Sequence, residues 1–80
     1  MRDISRDQFM KDFGENLKRA LDEFGMTLSE LSAYTGISIP TLSNYANGLQ
    51  MPSLKAYINI MHALNLEPEE LVDFNRRVVK

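Results

Sequence analysis

The sequence predicts an all-α fold, a compact five-helix bundle that forms one domain over residues 1–80. Apolar residues recur at the three- and four-residue spacing of helices, and helix-capping patterns recur along the chain. No segment alternates apolar and polar residues as a strand would. With 80 residues, 44% of them hydrophobic, the chain is long enough for one packed domain and too short for two.

The first helix is predicted to begin at Ser5, because Gln8 follows at the spacing of a capping box. Gly14 interrupts the helix at a cost of about 1 kcal/mol relative to alanine, and Gly25 is placed to end it. The apolar stripe that we expect to face the core consists of Phe9, Phe13, Leu17, Leu21 and Phe24.

The second helix is predicted at about residues 28–34. Thr27 and Glu30 form a second capping-box pattern at its start, and Thr35-Gly36 breaks it after about two turns. A glycine at this turn permits a positive φ, which lets the next helix leave at a steep angle. Two such short helices contribute little to the packing of a bundle. Their presence therefore indicates that the angle between them serves a function.

The third helix is predicted at about residues 39–46. Ser38 is its N-cap, Pro40 stands in the first turn where its missing N–H costs little, and Asn47-Gly48 closes the helix. The face left outside the core is small, neutral and rich in hydrogen-bonding groups. It consists of Ser38, Ile39, Pro40, Ser43, Asn44 and Asn47.

Two more helices complete the predicted bundle. Pro52-Ser53 opens the fourth, which ends near Asn65, and Pro68 begins the fifth. Residues 76–80 are expected to fray. The inward residues of the fourth helix are predicted to be Leu54, Tyr57, Ile58, Met61 and Leu64, and the apolar residues of the fifth are Leu71, Val72 and Phe74.

The composition argues against several classes of function. Without cysteine the chain has no disulfide, thiolate metal site or cysteine nucleophile, and His62 has no second histidine with which to hold a metal. Acidic neighbours such as Asp22 and Glu23 do not face each other on a helix, so they form no acid–base pair. No apolar run could span a bilayer. We therefore expect a non-catalytic cytoplasmic protein with no cofactor, metal, membrane or small-molecule ligand.

Several short motifs follow one another in a recognisable order. They are TLSELS at 27–32, GISIPTLSNYANG at 36–48, PSL at 52–54, ALNL at 63–66 and EL at 70–71. Together they resemble the phage repressor/Cro-type (XRE-like) helix-turn-helix DNA-binding domain, which has the lambda-repressor-like fold. The resemblance implies that the third helix enters the major groove of double-stranded operator DNA while the second crosses the backbone.

The resemblance also implies roles for individual residues. Asn44 is the strongest reader, because an amide can bond an adenine edge in two places, and Ile39 or Pro40 can pack on a thymine methyl. The predicted base-reading residues are Ile39, Pro40, Ser43 and Asn44. The predicted phosphate contacts are Ser38, Thr41, Asn47 and the backbone after Gly48. Lys55 is also predicted to contact phosphate, because of its positive charge.

Three positions depart from the usual pattern of this family. The glutamine that often opens the second helix is Leu28 here. A frequent arginine late in the first helix is Leu21, and its glutamate partner is Ala46. Because the last two changes occur together, we expect apolar packing in place of an ion pair, which need not weaken the fold.

The charge of the chain is distributed unevenly. The formal net charge is −2, yet residues 20–54 contain neither lysine nor arginine, so the predicted reading face is nearly uncharged. The nearest cations are Lys55, Lys18 and Arg19. Since lysine and arginine contacts usually dominate affinity for DNA, we expect weak binding per subunit and a shallow dependence on salt.

Dimerisation on DNA would offset this weakness, because dimers of this motif span two half-sites. The predicted dimer surface is Val72, Phe74, Val78 and Val79; in the alternative, Phe74 completes the core of the monomer. The sequence thus predicts a sequence-specific transcriptional regulator of bacterial or phage type, acting as a repressor. The alternative is a protein-interaction module that retains the fold without binding DNA, with Ile39, Pro40, Leu49 and Met51 as its contact surface.

Overall fold

The computed structural model describes residues 5–65, which form four α-helices. The helices are α1 (Arg6–Phe24), α2 (Leu28–Thr35), α3 (Ile39–Ala46) and α4 (Leu54–Leu64). The all-α prediction is confirmed for this part of the chain. The predicted fifth helix from Pro68, the tail at 76–80 and the predicted dimer surface lie outside the described residues.

Each of the four helices begins with a hydroxyl side chain that caps its first turn. The side chains of Ser5, Thr27, Ser38 and Ser53 accept backbone N–H bonds from Gln8, Glu30, Thr41 and Ala56, at 3.1, 3.1, 3.3 and 3.0 Å. Such a cap is worth about 1 kcal/mol. The caps explain why the starts of these helices can be predicted from the sequence.

The two predicted capping boxes differ in the structure. At α2 the box is complete, because the Glu30 carboxylate accepts the Thr27 backbone N–H at 2.9 Å. At α1 only half of it forms. The Gln8 side chain donates instead to the Asp12 carboxylate at 3.0 Å, one turn further along the helix. The Gln8 side chain therefore joins two successive turns of α1 instead of bonding the backbone N–H of Ser5.

The core lies between all four helices and is centred on α1. Its fully buried side chains are Phe13, Leu17, Leu31, Leu42, Ile60 and Leu64. Phe13 is surrounded by aromatic rings. Its centroid lies 6.2 Å from that of Phe9, 6.1 Å from Tyr45 and 5.7 Å from Tyr57. These contacts hold α1 against α3 and α4. They therefore fix the position of α3 relative to the rest of the bundle.

The predicted inward face of α4 was partly wrong. Leu54 is 74% exposed and Ile58 is 37% exposed, whereas Ala56 and Ile60 are buried. Apolar residues occur nearly all round this helix, so their spacing is compatible with more than one inward face. The face that packs contains Tyr57, Ile60, Met61 and Leu64. Phe24, the last residue of the α1 stripe, is also 50% exposed.

Gly14 marks the place where α1 crosses α3 most closely. A Cβ atom at this position would lie 2.6 Å from the carbonyl oxygen of Ala46 and 2.7 Å from that of Tyr45. Real Cβ atoms do not approach backbone oxygens so closely. The interpretation of Gly14 as a simple interruption of α1 was therefore incomplete, because its missing side chain lets the backbone of α3 rest on α1.

Neither a membrane-spanning helix nor a metal-binding cluster is found between residues 5 and 65. No helix there combines the length and the apolar character needed to cross a membrane. No group of three or more histidine, cysteine, aspartate or glutamate side chains in the same region is arranged to hold a metal ion. His62 is exposed in the last turn of α4.

Candidate nucleic-acid interface

The outer surface of α3 carries most of the predicted base-reading residues. Ile39, Pro40 and Asn44 are exposed, while Leu42 and Tyr45 on the opposite side are buried in the core. Ile39 is 45% exposed although it is a large apolar residue. α3 packs on α1 and α2, so its inner side is held by the bundle and its outer side is exposed.

Ser43 does not lie with Asn44. It is half-buried, and its hydroxyl accepts a hydrogen bond from the Asn47 side-chain amide at 3.4 Å. Residues four apart on a helix are neighbours, whereas adjacent residues point about 100° apart. The structure therefore places Ser43 beside Asn47, a predicted phosphate contact. Asn44 lies beside Pro40, and these two residues form the outer row of α3.

The first turn of α3 contains two further residues predicted to contact phosphate. The Ser38 hydroxyl accepts the Thr41 backbone N–H and donates to the Thr41 side-chain oxygen at 2.9 Å. The two hydroxyls share this one hydrogen bond, so one hydroxyl proton of the pair remains for a phosphate oxygen.

A groove of about 370 Å³ separates the second half of α1 from the end of α3. We call it the α1–α3 groove. Leu21 and Ala46, which stand where the family often has an arginine and a glutamate, are 7% exposed each and belong to the same buried cluster. This agrees with the expected apolar packing. The groove is lined by Lys18, Leu21, Asp22, Met26, Leu28, Ser43, Ala46 and Asn47.

A second groove, of about 400 Å³, continues past Asn47 and Gly48 along α1. It is lined by Lys11, Glu15, Lys18, Ala46, Asn47 and Gly48. The backbone of Gly48 lies against Lys11, since a Cβ added to the glycine would be 3.5 Å from the Lys11 Cα atom. Two exposed lysines therefore flank the turn that follows α3.

Sequence reasoning considered Lys18 but missed Lys11. The two lysines are seven positions apart, which places them on one face of a helix. That spacing was visible in the sequence. What the sequence did not show is that this face of α1 lies beside Asn47 and Gly48, because the contact depends on how α1 and α3 cross.

The turn after α3 is held by two backbone hydrogen bonds. The Gly48 N–H donates to the Tyr45 carbonyl at 3.1 Å, and the Leu49 N–H donates to the Asn44 carbonyl at 2.8 Å. Gly48 has φ 72°, in the left-handed region that favours glycine. This pattern is a Schellman motif, which ends a helix and turns the chain sharply. It brings the following residues back alongside α3.

Gln50 is the residue that this turn places next to the predicted base reader. The Asn44 side-chain amide donates to the Gln50 side-chain oxygen at 3.2 Å, and both residues are exposed. Sequence reasoning assigned no role to Gln50. No motif distinguishes it, and the contact arises only from the geometry of the Gly48 turn.

Charged groups are nearly absent from the two short helices. Across α2 and α3 the only charged side chain is Glu30, which is engaged in the capping box of α2. Lys55 is exposed in the first turn of α4. The candidate interface thus has a neutral, hydrogen-bonding centre on α3, and at its α1 edge the lysines Lys11 and Lys18 alternate with the carboxylates of Glu15 and Asp22.

The arrangement of α2 and α3, joined by a short turn and supported by α1 and α4, is a helix-turn-helix. The chain belongs to the helix-turn-helix family of XRE/Cro-type DNA-binding domains, whose family model matches residues 17–71. This is a family of DNA-binding transcription factors and not of enzymes, in agreement with the resemblance of its motifs.

The fold is also found in a solved structure. The restriction-modification controller protein C.AhdI from Aeromonas hydrophila superposes with a TM-score of 0.74 at 24% sequence identity. The similarity covers 78% of this chain and 94% of that one. At this identity the likeness shows a common fold. No curated protein matches the chain.

Proposed function

We propose that this chain is a sequence-specific transcriptional regulator that inserts α3 into the major groove of its operator. The observation that carries this proposal is the outer surface of α3, where Ile39, Pro40 and Asn44 are exposed in a family that binds DNA. Direct readout requires side chains that reach base edges without first leaving a packed core. Asn44 meets that requirement, and Ser43 meets it less well.

Base recognition by this surface rests on hydrogen bonds and apolar contacts. The Asn44 amide offers a donor and an acceptor that match the N7 and N6 positions of adenine. Ile39 and Pro40 offer apolar atoms for a thymine methyl group. The neutral surface contributes little counterion release, so sequence preference is expected to form a large share of the binding free energy.

Backbone contacts would come from the residues around α3. The pair of Ser38 and Thr41 offers one hydroxyl proton at its start, and Asn47 offers amide protons beside Lys18 at its end. Lys11 and Lys18 add positive charge on the adjoining face of α1. Contacts of this kind set the register of a protein on DNA and do not by themselves read sequence.

The proposed mode of action is repression by a dimer. Two subunits of this motif place their recognition helices about 34 Å apart, which matches successive turns of the DNA major groove. A dimer bound across a promoter would block polymerase. The residues predicted to form its interface, Val72, Phe74, Val78 and Val79, remain a prediction.

Selection from randomised duplexes tests the proposal. The full chain, presented with a random duplex pool at about 50 mM salt, is expected to enrich a palindromic site with adenine at corresponding positions of both halves. A pool that stays random after repeated rounds would contradict sequence-specific binding. Enrichment of a single unpaired half-site would retain the reading function and contradict the dimer.

The α1 lysines are expected to control the salt dependence of binding. Lys11→Ala and Lys18→Ala should each weaken binding to selected and scrambled duplexes to the same extent, because a phosphate contact carries no sequence information. Each should also make the plot of log affinity against log salt shallower by about one unit for every phosphate that the lysine neutralises. Fluorescence anisotropy across a series of salt concentrations measures both quantities.

Arg19→Ala is the matched control for this experiment. Arg19 is also an exposed cation of α1, and it is not among the residues lining either groove. Its removal changes the net charge by the same amount and should change the slope by less. Equal changes in all three variants would indicate a general charge effect and would contradict a phosphate site at the two grooves.

One observation favours the alternative of a protein-interaction module. Leu49 is 71% exposed beside α3, close in the chain to the half-buried Met51, so an apolar surface adjoins the polar one. Salt-independent binding to a protein partner, together with no binding to any duplex at low salt, would support this alternative.

A further inference from the structure

We propose that Gln50 is a positioning residue that fixes the orientation of the Asn44 amide and thereby sets the base preference at the position that Asn44 reads. The inference rests on the proposed function and deepens it. Its basis is the hydrogen bond from the Asn44 side-chain nitrogen to the Gln50 side-chain oxygen, at 3.2 Å. Both side chains are exposed, so the bond lies on the surface offered to DNA.

The position of Gln50 is fixed by the backbone and not by its own side chain. The bonds from Gly48 to Tyr45 and from Leu49 to Asn44 close the end of α3. The second of these bonds ties the residue before Gln50 to the backbone of Asn44 itself. A chain constrained in this way returns Gln50 to the same face of α3 at little further entropic cost.

The bond leaves Asn44 able to recognise adenine. A side-chain amide has two N–H donors and one carbonyl acceptor. Gln50 accepts from one donor, so the second donor and the oxygen remain for N7 and N6 of adenine. Recognition and positioning therefore do not compete for the same atoms.

Gln50 also determines which end of the amide lies on which side. Without a partner, the amide can rotate by about 180° and exchange its oxygen and nitrogen positions, because this terminal torsion is roughly two-fold. The Gln50 oxygen attracts the nitrogen and holds it on the Gln50 side. The order of donor and acceptor presented to the groove is then constant, and adenine should be favoured on one strand over the other.

The test replaces Gln50 with methionine, which has similar length and cannot accept the bond strongly. Affinities are measured for the selected duplex and for duplexes with the other three base pairs at the position that Asn44→Ala identifies. We expect Gln50→Met to reduce the discrimination about 3- to 10-fold, which corresponds to the cost of ordering one free side chain. The salt slope should stay unchanged, and Gln50→Met should add nothing in an Asn44→Ala background.

A second readout does not involve DNA. In the free protein, the NMR signal of the Asn44 side-chain amide proton that is bonded to Gln50 should shift in Gln50→Met, and the signal of the second proton of the same amide should shift less. Leu49→Ala is the control, because it alters the adjacent exposed residue and retains both amides. Unchanged circular dichroism in each variant confirms that the fold is intact.

The outcomes separate this inference from the function on which it rests. Discrimination that requires Asn44 but is the same in wild type and Gln50→Met would overturn the role of Gln50 alone. Asn44 signals that do not respond to Gln50→Met would overturn it as well. A wild-type protein with no discrimination at any position would overturn both the proposed function and this inference.

Discussion

Gly14→Ala is expected to destabilise the protein by about 1–3 kcal/mol, the usual cost of forcing extra atoms into a packed interior. Helix propensity alone predicts the opposite sign, because alanine is favoured over glycine by about 1 kcal/mol within a helix. The crossing of α1 and α3 decides between the two effects. A new methyl group would meet the carbonyl oxygens of Tyr45 and Ala46 at 2.7 and 2.6 Å. Those atoms belong to backbone and cannot swing aside as a side-chain tip can.

Urea denaturation followed by circular dichroism measures this free energy of unfolding. Glu15→Ala is the matched control, since Glu15 is exposed at the next position of α1 and its replacement should change stability by less than about 0.5 kcal/mol. A Gly14→Ala variant that is more stable than wild type would show that α1 and α3 do not approach as closely as described. Because α3 would have to shift outward, we also expect weaker DNA binding from this variant.

Asn44→Ala is expected to remove most of the discrimination between the selected operator and a scrambled duplex. A good bidentate pair between a side chain and a base contributes about 1–3 kcal/mol, or roughly 5- to 150-fold in the ratio of affinities. The residue is exposed, so truncation creates no cavity. The melting temperature and helical content should stay close to those of wild type, which separates impaired recognition from impaired folding.

Ser43→Ala provides the internal comparison for this variant. Both residues were predicted to read bases, but Ser43 is half-buried and bonded to Asn47, whereas Asn44 lies on the outer row. We therefore expect a smaller loss of discrimination from Ser43→Ala, together with a general weakening if Asn47 is displaced. Equal losses would mean that the two rows of α3 both reach base edges.

Helix starts and ends could be predicted from the sequence because their signals are local. Ser38 and Thr27 cap helices through residues three positions away, and Gly25 and Gly36 adopt the positive φ that ends α1 and α2. Such interactions need no knowledge of the tertiary structure. Ser5 caps α1 as predicted, but its capping box is incomplete because the Gln8 side chain bonds Asp12 within the same helix.

Features that depend on how helices cross could not be predicted in the same way. The sequence contains Gly14, but not the fact that α3 lies against it. The inward face of α4 was partly wrong because Leu54 and Ile58 are as apolar as the residues that do pack. The family pattern indicated Asn44, whereas Lys11 joins the candidate interface through the crossing of α1 and α3, and Gln50 joins it through the turn at Gly48.

Competition binding between two duplexes tests the central claim, that α3 reads DNA sequence, most directly. The full chain is titrated with its selected duplex and with a scrambled duplex of the same composition, at about 50 and about 200 mM salt. We expect the selected duplex to bind at least about tenfold more tightly at both concentrations, because hydrogen bonds to base edges are far less sensitive to salt than phosphate contacts. Equal affinities for the two duplexes at both salt concentrations would contradict sequence reading by α3.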